Sequence, residues 1–308
     1  MTTYHREHFL DRATMFTLRA MIAVQPKLEF APETRPMFDQ LMTKTEAAEG
    51  VTYEAAIIGG IAGWWCKPQR AMDGAAVIYF HGGAYVLGSA AAYRNFVGNI
   101  AAKVKAPFFV VDYALAPEHP FPSAIRDAED AYRGLSALGF SRLAIAGDSA
   151  GGGLALALLL SIMAQPIDNL ANRPVAAAVM SPWTDLALTG DSVDTRAKAD
   201  PLLSRSALEH AAEIYLGHHD YRDPKASPVF GRFADLPPVL LHVGEDEILL
   251  DDSRRVAEQI DADGGRSELH IWQGMTHVFP SNLTLKSAVE ALDILGAFLE
   301  EHLQSQHI

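Results

Sequence analysis

The sequence of 308 residues contains a single cysteine, no run of basic residues and no apolar stretch of membrane-spanning length. Cys66 alone excludes an intrachain disulfide and a multi-cysteine metal cluster, and it suits a reducing compartment. The 25 basic residues stand against 38 acidic ones, a net charge of −13, so a phosphate backbone would be repelled. The longest apolar stretch, residues 154–164, is too short to cross a bilayer, and the polar beginning lacks the pattern of a signal peptide.

These shortages predict a soluble, cytoplasmic protein without a nucleic-acid or membrane partner. The remaining composition, with 49% hydrophobic, 9% aromatic and 20% charged residues, is that of an ordinary globular protein. A chain of this length buries a large core without disulfides. The sequence leaves open whether the protein is a monomer or a homodimer.

Short apolar runs alternate with longer helical stretches along most of the chain. Eight strands are predicted, at residues 51–58, 61–66, 75–80, 107–112, 142–146, 175–180, 239–243 and 267–272. Helices are predicted at residues 90–105, 124–138, 150–164, 251–263 and 283–302. The first two strands form a hairpin at Gly59-Gly60, and the last strand is predicted at the edge of the sheet. This order predicts the α/β class, with a mostly parallel, doubly wound sheet of eight strands that starts antiparallel.

Two segments fall outside that alternation. Residues 1–48 have a helical pattern and precede the first predicted strand, and residues 186–222 separate two strands with polar, helical sequence. Insertions at the carboxyl side of such a sheet often cover a ligand site. We therefore expect residues 49–308 to form the main domain, with residues 1–48 as an N-terminal helical cap segment and a second cap segment at about 186–222. The alternative is a packing extension and a long surface loop.

The pattern Gly147-Asp148-Ser149-Ala150-Gly151 follows a predicted strand and opens an apolar helix. A serine on such a sharp turn projects its hydroxyl above the sheet, and the glycines permit the close backbone packing. The helix N-terminus offers free N–H groups to a developing oxyanion. We therefore predict that Ser149 is a catalytic nucleophile; the alternative is a helix that merely starts with small residues.

A second glycine-rich turn, His81-Gly82-Gly83-Ala84, directly follows the strand at residues 75–80. Such a turn supplies backbone N–H groups to the carbonyl oxygen of an acyl substrate. The predicted oxyanion hole consists of the N–H groups of Gly83, Ala84 and Ala150, with Gly82 supporting the turn. His81 is expected to orient this loop rather than to take part in the chemistry.

A serine nucleophile needs a base, and the base needs an acid to orient it. His277 lies in a loop after the last predicted strand, which is where the base of this arrangement occurs. The acid should follow the preceding strand, where Glu245, Asp246 and Glu247 are adjacent. The chemistry alone accepts either an aspartate or a glutamate.

Six motifs, in order, resemble those of the hormone-sensitive-lipase-like (bacterial type IV) carboxylesterases, which have the α/β-hydrolase fold with a small helical cap. They are HGGAYVLGS, DYALAPEHPFPSA, GDSAGG, SPWTD, DPLLS and GMTHVF, and they span roughly residues 50–300. In that family the acid lies three residues after the glycine that ends its strand and about thirty before the histidine, which implies Glu247 rather than Asp246. Ala84 and Ala114 depart from a glycine and an arginine of the family pattern, and neither departure removes a catalytic group.

The resemblance implies a serine carboxylic ester hydrolase that acts on short to medium acyl esters through Ser149, His277 and Glu247 and an acyl-enzyme. It implies a small-molecule ester as the partner. The sequence has no GxxxxGK(S/T) nucleotide-binding loop and no HExxH metal motif, so neither a cofactor nor a metal is expected. A lactone hydrolase or an amidase or deacetylase of a small metabolite would use the same triad. A receptor without activity is disfavoured, because the related hormone receptors lack the histidine that is present here as His277.

Further residues are expected near the site. Glu118 and Asp148 should pin loops around it. The candidates for the substrate pocket, each with core packing as an equal alternative, are Tyr85, Trp183, Met275 and Phe279.

Overall fold

A computed structural model describes residues 1–24, 29–165 and 173–304. Its strands are β1 (Thr2–His5), β2 (Val51–Ile58), β3 (Ile61–Pro68), β4 (Ala75–Phe80), β5 (Phe108–Val111), β6 (Arg142–Asp148), β7 (Ala176–Met180), β8 (Val239–Gly244) and β9 (Ser267–Trp272). Its helices are α1 (Phe9–Ala23), α2 (Arg35–Met42), α3 (Ala90–Val104), α4 (Ser123–Ala137), α5 (Ser149–Met163), α6 (Ser192–Thr195), α7 (Arg205–Leu216), α8 (Leu250–Ala262) and α9 (Lys286–Gln304).

The described strands form one sheet in the order β1-β9-β8-β7-β6-β4-β5-β3-β2. Neighbours are parallel from β1 to β5, and β3 runs antiparallel to both β5 and β2. The central strands are apolar on both faces because helices cover both; all six residues of β4 are fully buried. The parallel direction brings the carboxyl ends of β4, β6, β7 and β8 to one edge, where the loops that follow them meet.

The helices divide between the two faces of the sheet. Side chains of α3 and α9 pack against one face. Those of α4, α5 and α8 pack against the other, together with the apolar side of α7, which presents Leu208 and Tyr215 to the same cluster. Within the described residues, no helix has the length and apolar composition needed to cross a membrane.

The predicted fold class is confirmed, but the described sheet has nine strands rather than eight. The additional strand, β1, pairs with β9 in parallel, with Thr2 opposite Leu269, so β9 is not an edge strand. Residues 2–5 are therefore not helical, and only α1 and α2 supply the helices expected in the N-terminal segment. The prediction failed here because the four residues TTYH contain no apolar run, and their conformation depends on pairing with β9 near the other end of the chain.

Candidate active site

The nucleophile candidate lies at the junction between β6 and α5. Asp148 ends the strand, and Ser149 begins the helix with a backbone φ of 53°, in the left-handed region. The backbone of α5 passes directly beside β4 and β6 here, since a Cβ on Gly151 would collide with the Phe80 carbonyl oxygen, and one on Gly147 with that of Gly151. The flanking glycines are thus required by close packing, and the turn aims the Ser149 side chain away from the sheet.

The structure brings Ser149, His277 and Glu247 together in one chain of hydrogen bonds. The Ser149 hydroxyl lies 2.8 Å from His277 Nε2, and His277 Nδ1 lies 2.7 Å from Glu247 Oε2. Because the carboxylate can only accept, we assign the proton to Nδ1, which leaves Nε2 free to accept from the serine. The glutamate is fully buried, so its charge acts on the imidazole with little screening by solvent.

The second carboxylate oxygen of Glu247 has two donors of its own. Oε1 accepts from the Ser181 hydroxyl at 2.7 Å and from the Gly244 N–H at 2.6 Å. Ser181 Oγ in turn accepts from the N–H of Val278, the residue after the histidine, at 2.9 Å. Ser181 therefore connects the loop of the acid to the loop of the base.

Sequence reasoning did not single out Ser181, although it quoted the motif SPWTD that begins with it. The signal that could have found it is its position directly after β7, next to the strand whose loop carries Glu247. Polar residues at the carboxyl ends of neighbouring parallel strands converge on the same site.

The neighbouring acids have other partners. Asp246 Oδ2 pairs at 2.7 Å with the guanidinium of Arg19 from α1, and both side chains are about one quarter exposed. Arg19 also donates to the carbonyl oxygens of Ala199 and Gly274. Asp246 thus fastens α1 to the loops around the site, and the hydrogen bond to His277 comes from Glu247 instead.

The pKa of His277 is raised above its ordinary value. Burial by itself lowers the pKa of this imidazole, but the hydrogen bond and the charge of Glu247, with the charges of Asp200 and Asp148, outweigh burial. Asp200 belongs to residues 186–222, called here the inserted segment, and its carboxylate accepts from the N–H of Ile248, next to the acid, at 2.9 Å. The inserted segment therefore contributes both a charge and a backbone contact to the site.

The glycine-rich loop after β4 makes a tight turn with an unusual backbone. Gly83, Ala84 and Tyr85 have φ values of 121°, 54° and 63°. The carbonyl oxygen of Gly83 accepts from both Val86 N–H (3.0 Å) and Leu87 N–H (2.8 Å). In the described part of the chain, the N–H groups of Gly83 and Ala84 donate to no protein group, and that of Ala150 lies in the first turn of α5, where helices leave N–H groups unpaired.

Asp148 ties this loop to the nucleophile turn from behind. Its buried carboxylate accepts from the Tyr79 hydroxyl at 2.7 Å, from Gly82 N–H at 3.1 Å and from the Tyr93 hydroxyl at 3.3 Å. Burial raises the pKa of Asp148 to about 6, against the lowering effect of these donors. His81 is also buried; its Nδ1 donates to the Gly82 carbonyl and its ring stacks on a tyrosine, so it contacts the loop and not the nucleophile.

The four pocket candidates occupy two places, and all are buried. Tyr85 stacks face to face on Tyr215 of α7, with ring centroids 3.9 Å apart, and lies 6.2 Å from the Trp183 ring. Met275 and Phe279 instead pack with Met15 of α1 in a separate apolar cluster. Met275 and Phe279 thus pack in one core cluster, while Tyr85 and Trp183 belong to another, in which Tyr85 of the glycine-rich loop (the oxyanion loop, residues 81–87) meets α7.

In the described ranges, no three histidine, cysteine, aspartate or glutamate side chains are grouped so that they could hold a metal ion.

A sequence profile for the alpha/beta hydrolase fold matches residues 77–281, two thirds of the chain, including the nucleophile turn, the acid and the base. The chain belongs to the α/β-hydrolase family. This hydrolase is 37% identical over 249 residues to an acetyl-hydrolase of Streptomyces hygroscopicus, covering 80% of this chain and 82% of the relative. It is 35% identical over 286 residues to an esterase of Acinetobacter venetianus, covering 91% and 93%.

Solved structures agree with the sequence relatives. An esterase of the bacterial hormone-sensitive lipase family superimposes on this hydrolase with a TM-score of 0.87 at 31% identity, covering 96% of this chain and 99% of that one. Within the α/β hydrolases, this chain is therefore a member of the hormone-sensitive-lipase-like group that its motifs indicate.

Proposed function

We propose that this protein hydrolyses short to medium acyl esters through a Ser149–His277–Glu247 triad and an acyl-enzyme. The chain is a carboxylic ester hydrolase, the class to which its relatives belong. The observation that carries the proposed mechanism is the continuous hydrogen-bond chain from the serine hydroxyl through the imidazole to a buried carboxylate.

In the first half of the proposed reaction, Ser149 Oγ attacks the ester carbonyl carbon while His277 Nε2 takes the hydroxyl proton. Glu247 stabilises the imidazolium that forms. The negative oxygen of the tetrahedral intermediate accepts hydrogen bonds from the N–H groups of Gly83, Ala84 and Ala150. Each such donor is worth roughly 10² to 10³ in rate. When the intermediate collapses, His277 returns the proton to the leaving alkoxide, and the alcohol departs from the acyl-enzyme.

In the second half, water replaces the alcohol. His277 removes a proton from the water as the water oxygen attacks the acyl carbon. The same N–H groups donate hydrogen bonds to the oxyanion that forms. Collapse of this intermediate breaks the bond to Ser149 Oγ, which recovers its proton from His277. The carboxylic acid product leaves, and the triad is restored.

The proposed acyl range is roughly two to eight carbons, because the apolar volume of a small capped pocket limits chain length. The acetyl-hydrolase among the relatives supports short acyl groups. The partner is then a small-molecule ester.

The test of the triad is Ser149→Ala, with Ser161→Ala on the same helix as the matched control. Ser161 bonds to Glu129 and lies away from the site, so its variant should keep full activity. Ser149→Ala should fold and lose hydrolysis of p-nitrophenyl butyrate to background, and a fluorophosphonate probe should label the wild type but not this variant. More than a few per cent residual activity, or labelling at another serine, would contradict the nucleophile assignment. Lactones and N-acyl amines assayed in parallel would show whether either is preferred over esters.

A further inference from the structure

The side chain of Arg35, the first residue of α2, reaches two loops that flank the site. Its Nε donates to the carbonyl oxygen of Val86 at 2.8 Å, and Nη2 donates to that of Ala116 at 2.9 Å. Nη1 and Nη2 also form a fork on the Glu118 carboxylate, at 2.8 and 2.6 Å. One guanidinium thus fastens the end of the oxyanion loop to the loop that carries Glu118.

The oxyanion loop needs such fastening because its backbone is strained. Ala84 and Tyr85 both have left-handed φ values, which residues with a Cβ adopt only when the surroundings enforce them. The carbonyl oxygen of Tyr85 accepts from the N–H of Ala116 at 2.9 Å. Arg35 donates to the carbonyl oxygen of the same residue, Ala116. The strained pair is therefore held at two points, the carbonyl of Tyr85 and that of the following Val86.

We propose that Arg35 is a positioning residue for ester hydrolysis, whose guanidinium holds the oxyanion loop so that the N–H groups of Gly83 and Ala84 face the substrate's carbonyl oxygen. This inference rests on the proposed function. Arg35 touches neither the substrate nor the triad, so it acts through the loop. The N-terminal segment thereby contributes to stabilising the transition state.

The fork stays charged over the pH range in which the enzyme would work. The hydrogen bond from Arg35 lowers the pKa of Glu118 to about 2, and that carboxylate raises the pKa of Arg35. The effect of Arg35 on the rate should therefore be the same at every pH. Removing it should lower the activity without moving the pH midpoint that His277 sets.

The test compares Arg35→Met, which keeps an apolar stem but no donor, with Arg35→Lys. Arg205→Ala is the matched control, because Arg205 makes the same kind of fork with Asp194 (3.0 and 2.8 Å) and reaches a carbonyl, that of Leu188. The readouts are kcat and KM for p-nitrophenyl acetate from pH 5 to 9, and the inhibition constant of a boronic acid, whose tetrahedral serine adduct resembles the transition state.

Arg35→Met should lose roughly tenfold to hundredfold in kcat, the scale of a misplaced catalytic group. KM should change by less than about threefold, since the donors act in the transition state. Boronic acid affinity should fall by the same factor as kcat/KM. Arg35→Lys should lose less, because its ammonium can still bind one of the two loops although it cannot span both. Its losses in kcat/KM and in boronic acid affinity should again be equal. Arg205→Ala should match the wild type.

Folded Arg35→Met with unchanged kcat and boronic acid affinity would overturn the proposal, as would a rise in KM alone. If Arg35→Met does not fold, Arg35→Lys decides: proportional losses support the proposal, and wild-type values overturn it. Failure of the proposed function is distinguishable, since the wild type itself would then neither hydrolyse the ester nor bind the boronic acid.

Discussion

Glu247→Gln tests the assignment of the acid, because the surroundings of the carboxylate dictate how the amide must sit. Ser181 and Gly244 both donate to Oε1, so this position must hold the amide oxygen in the variant. The NH2 group then faces His277 Nδ1, which has to accept. The remaining ring proton moves to Nε2, against Ser149 Oγ, where it blocks transfer of the serine proton.

The expected loss in kcat is about 10⁴, the cost of the wrong imidazole tautomer in a serine triad. It corresponds to about 5.4 kcal/mol of transition-state free energy. Asp246→Asn is the matched control, because it removes the same charge one residue away. The partner of Asp246 is the partly exposed Arg19, and such a pair is worth about 0.2 to 1 kcal/mol, so even its full loss from the transition state would lower kcat only about fivefold.

The assay is steady-state hydrolysis of p-nitrophenyl butyrate, with active sites counted by a fluorophosphonate probe and Ser149→Ala as the background. Glu247→Gln activity within tenfold of the wild type would refute the reasoning, as would an equal loss in Asp246→Asn. Either result would mean that the buried carboxylate does not control the tautomer of His277.

Three further outcomes are expected. Ser181→Ala should lower kcat roughly tenfold to hundredfold, since a hydrogen bond to a charged group is worth about 1.5 to 3 kcal/mol. Ser253→Ala, at a buried hydroxyl with no partner in the described structure, should leave kcat unchanged. Because the pKa of His277 is raised and its neutral form is the base, kcat/KM should rise with pH through a midpoint above 6.5 to an alkaline plateau, and a flat profile from pH 5 to 9 would contradict this. In a series of p-nitrophenyl esters, C4 should be preferred over C16, with no jump in rate on emulsified triglycerides; interfacial activation would instead indicate a true lipase.

The local features of the site could be predicted because short-range geometry determines them. A strand followed by a small-residue turn and an apolar helix places Ser149 just beyond the carboxyl end of its strand, and this arrangement depends only on neighbouring residues. The glycine-rich turn after β4 follows the same logic. The spacing between Gly244 and Glu247, taken with the family resemblance, selected the carboxylate that the structure places against His277.

The sequence by itself thus determined the fold class, the central parallel strands, Ser149 and His277, because buried strands and tight turns impose local patterns. The choice of Glu247 among three adjacent acids needed the family resemblance. Only the tertiary structure decided which distant partners support them. β1 forms because it pairs with β9. Ser181 has a role in the site because the fold places it against Glu247. Arg35 is 51 residues from Val86, whose carbonyl oxygen it binds. No local pattern specifies such contacts, because a side chain's partner depends on which elements the packed core brings beside it.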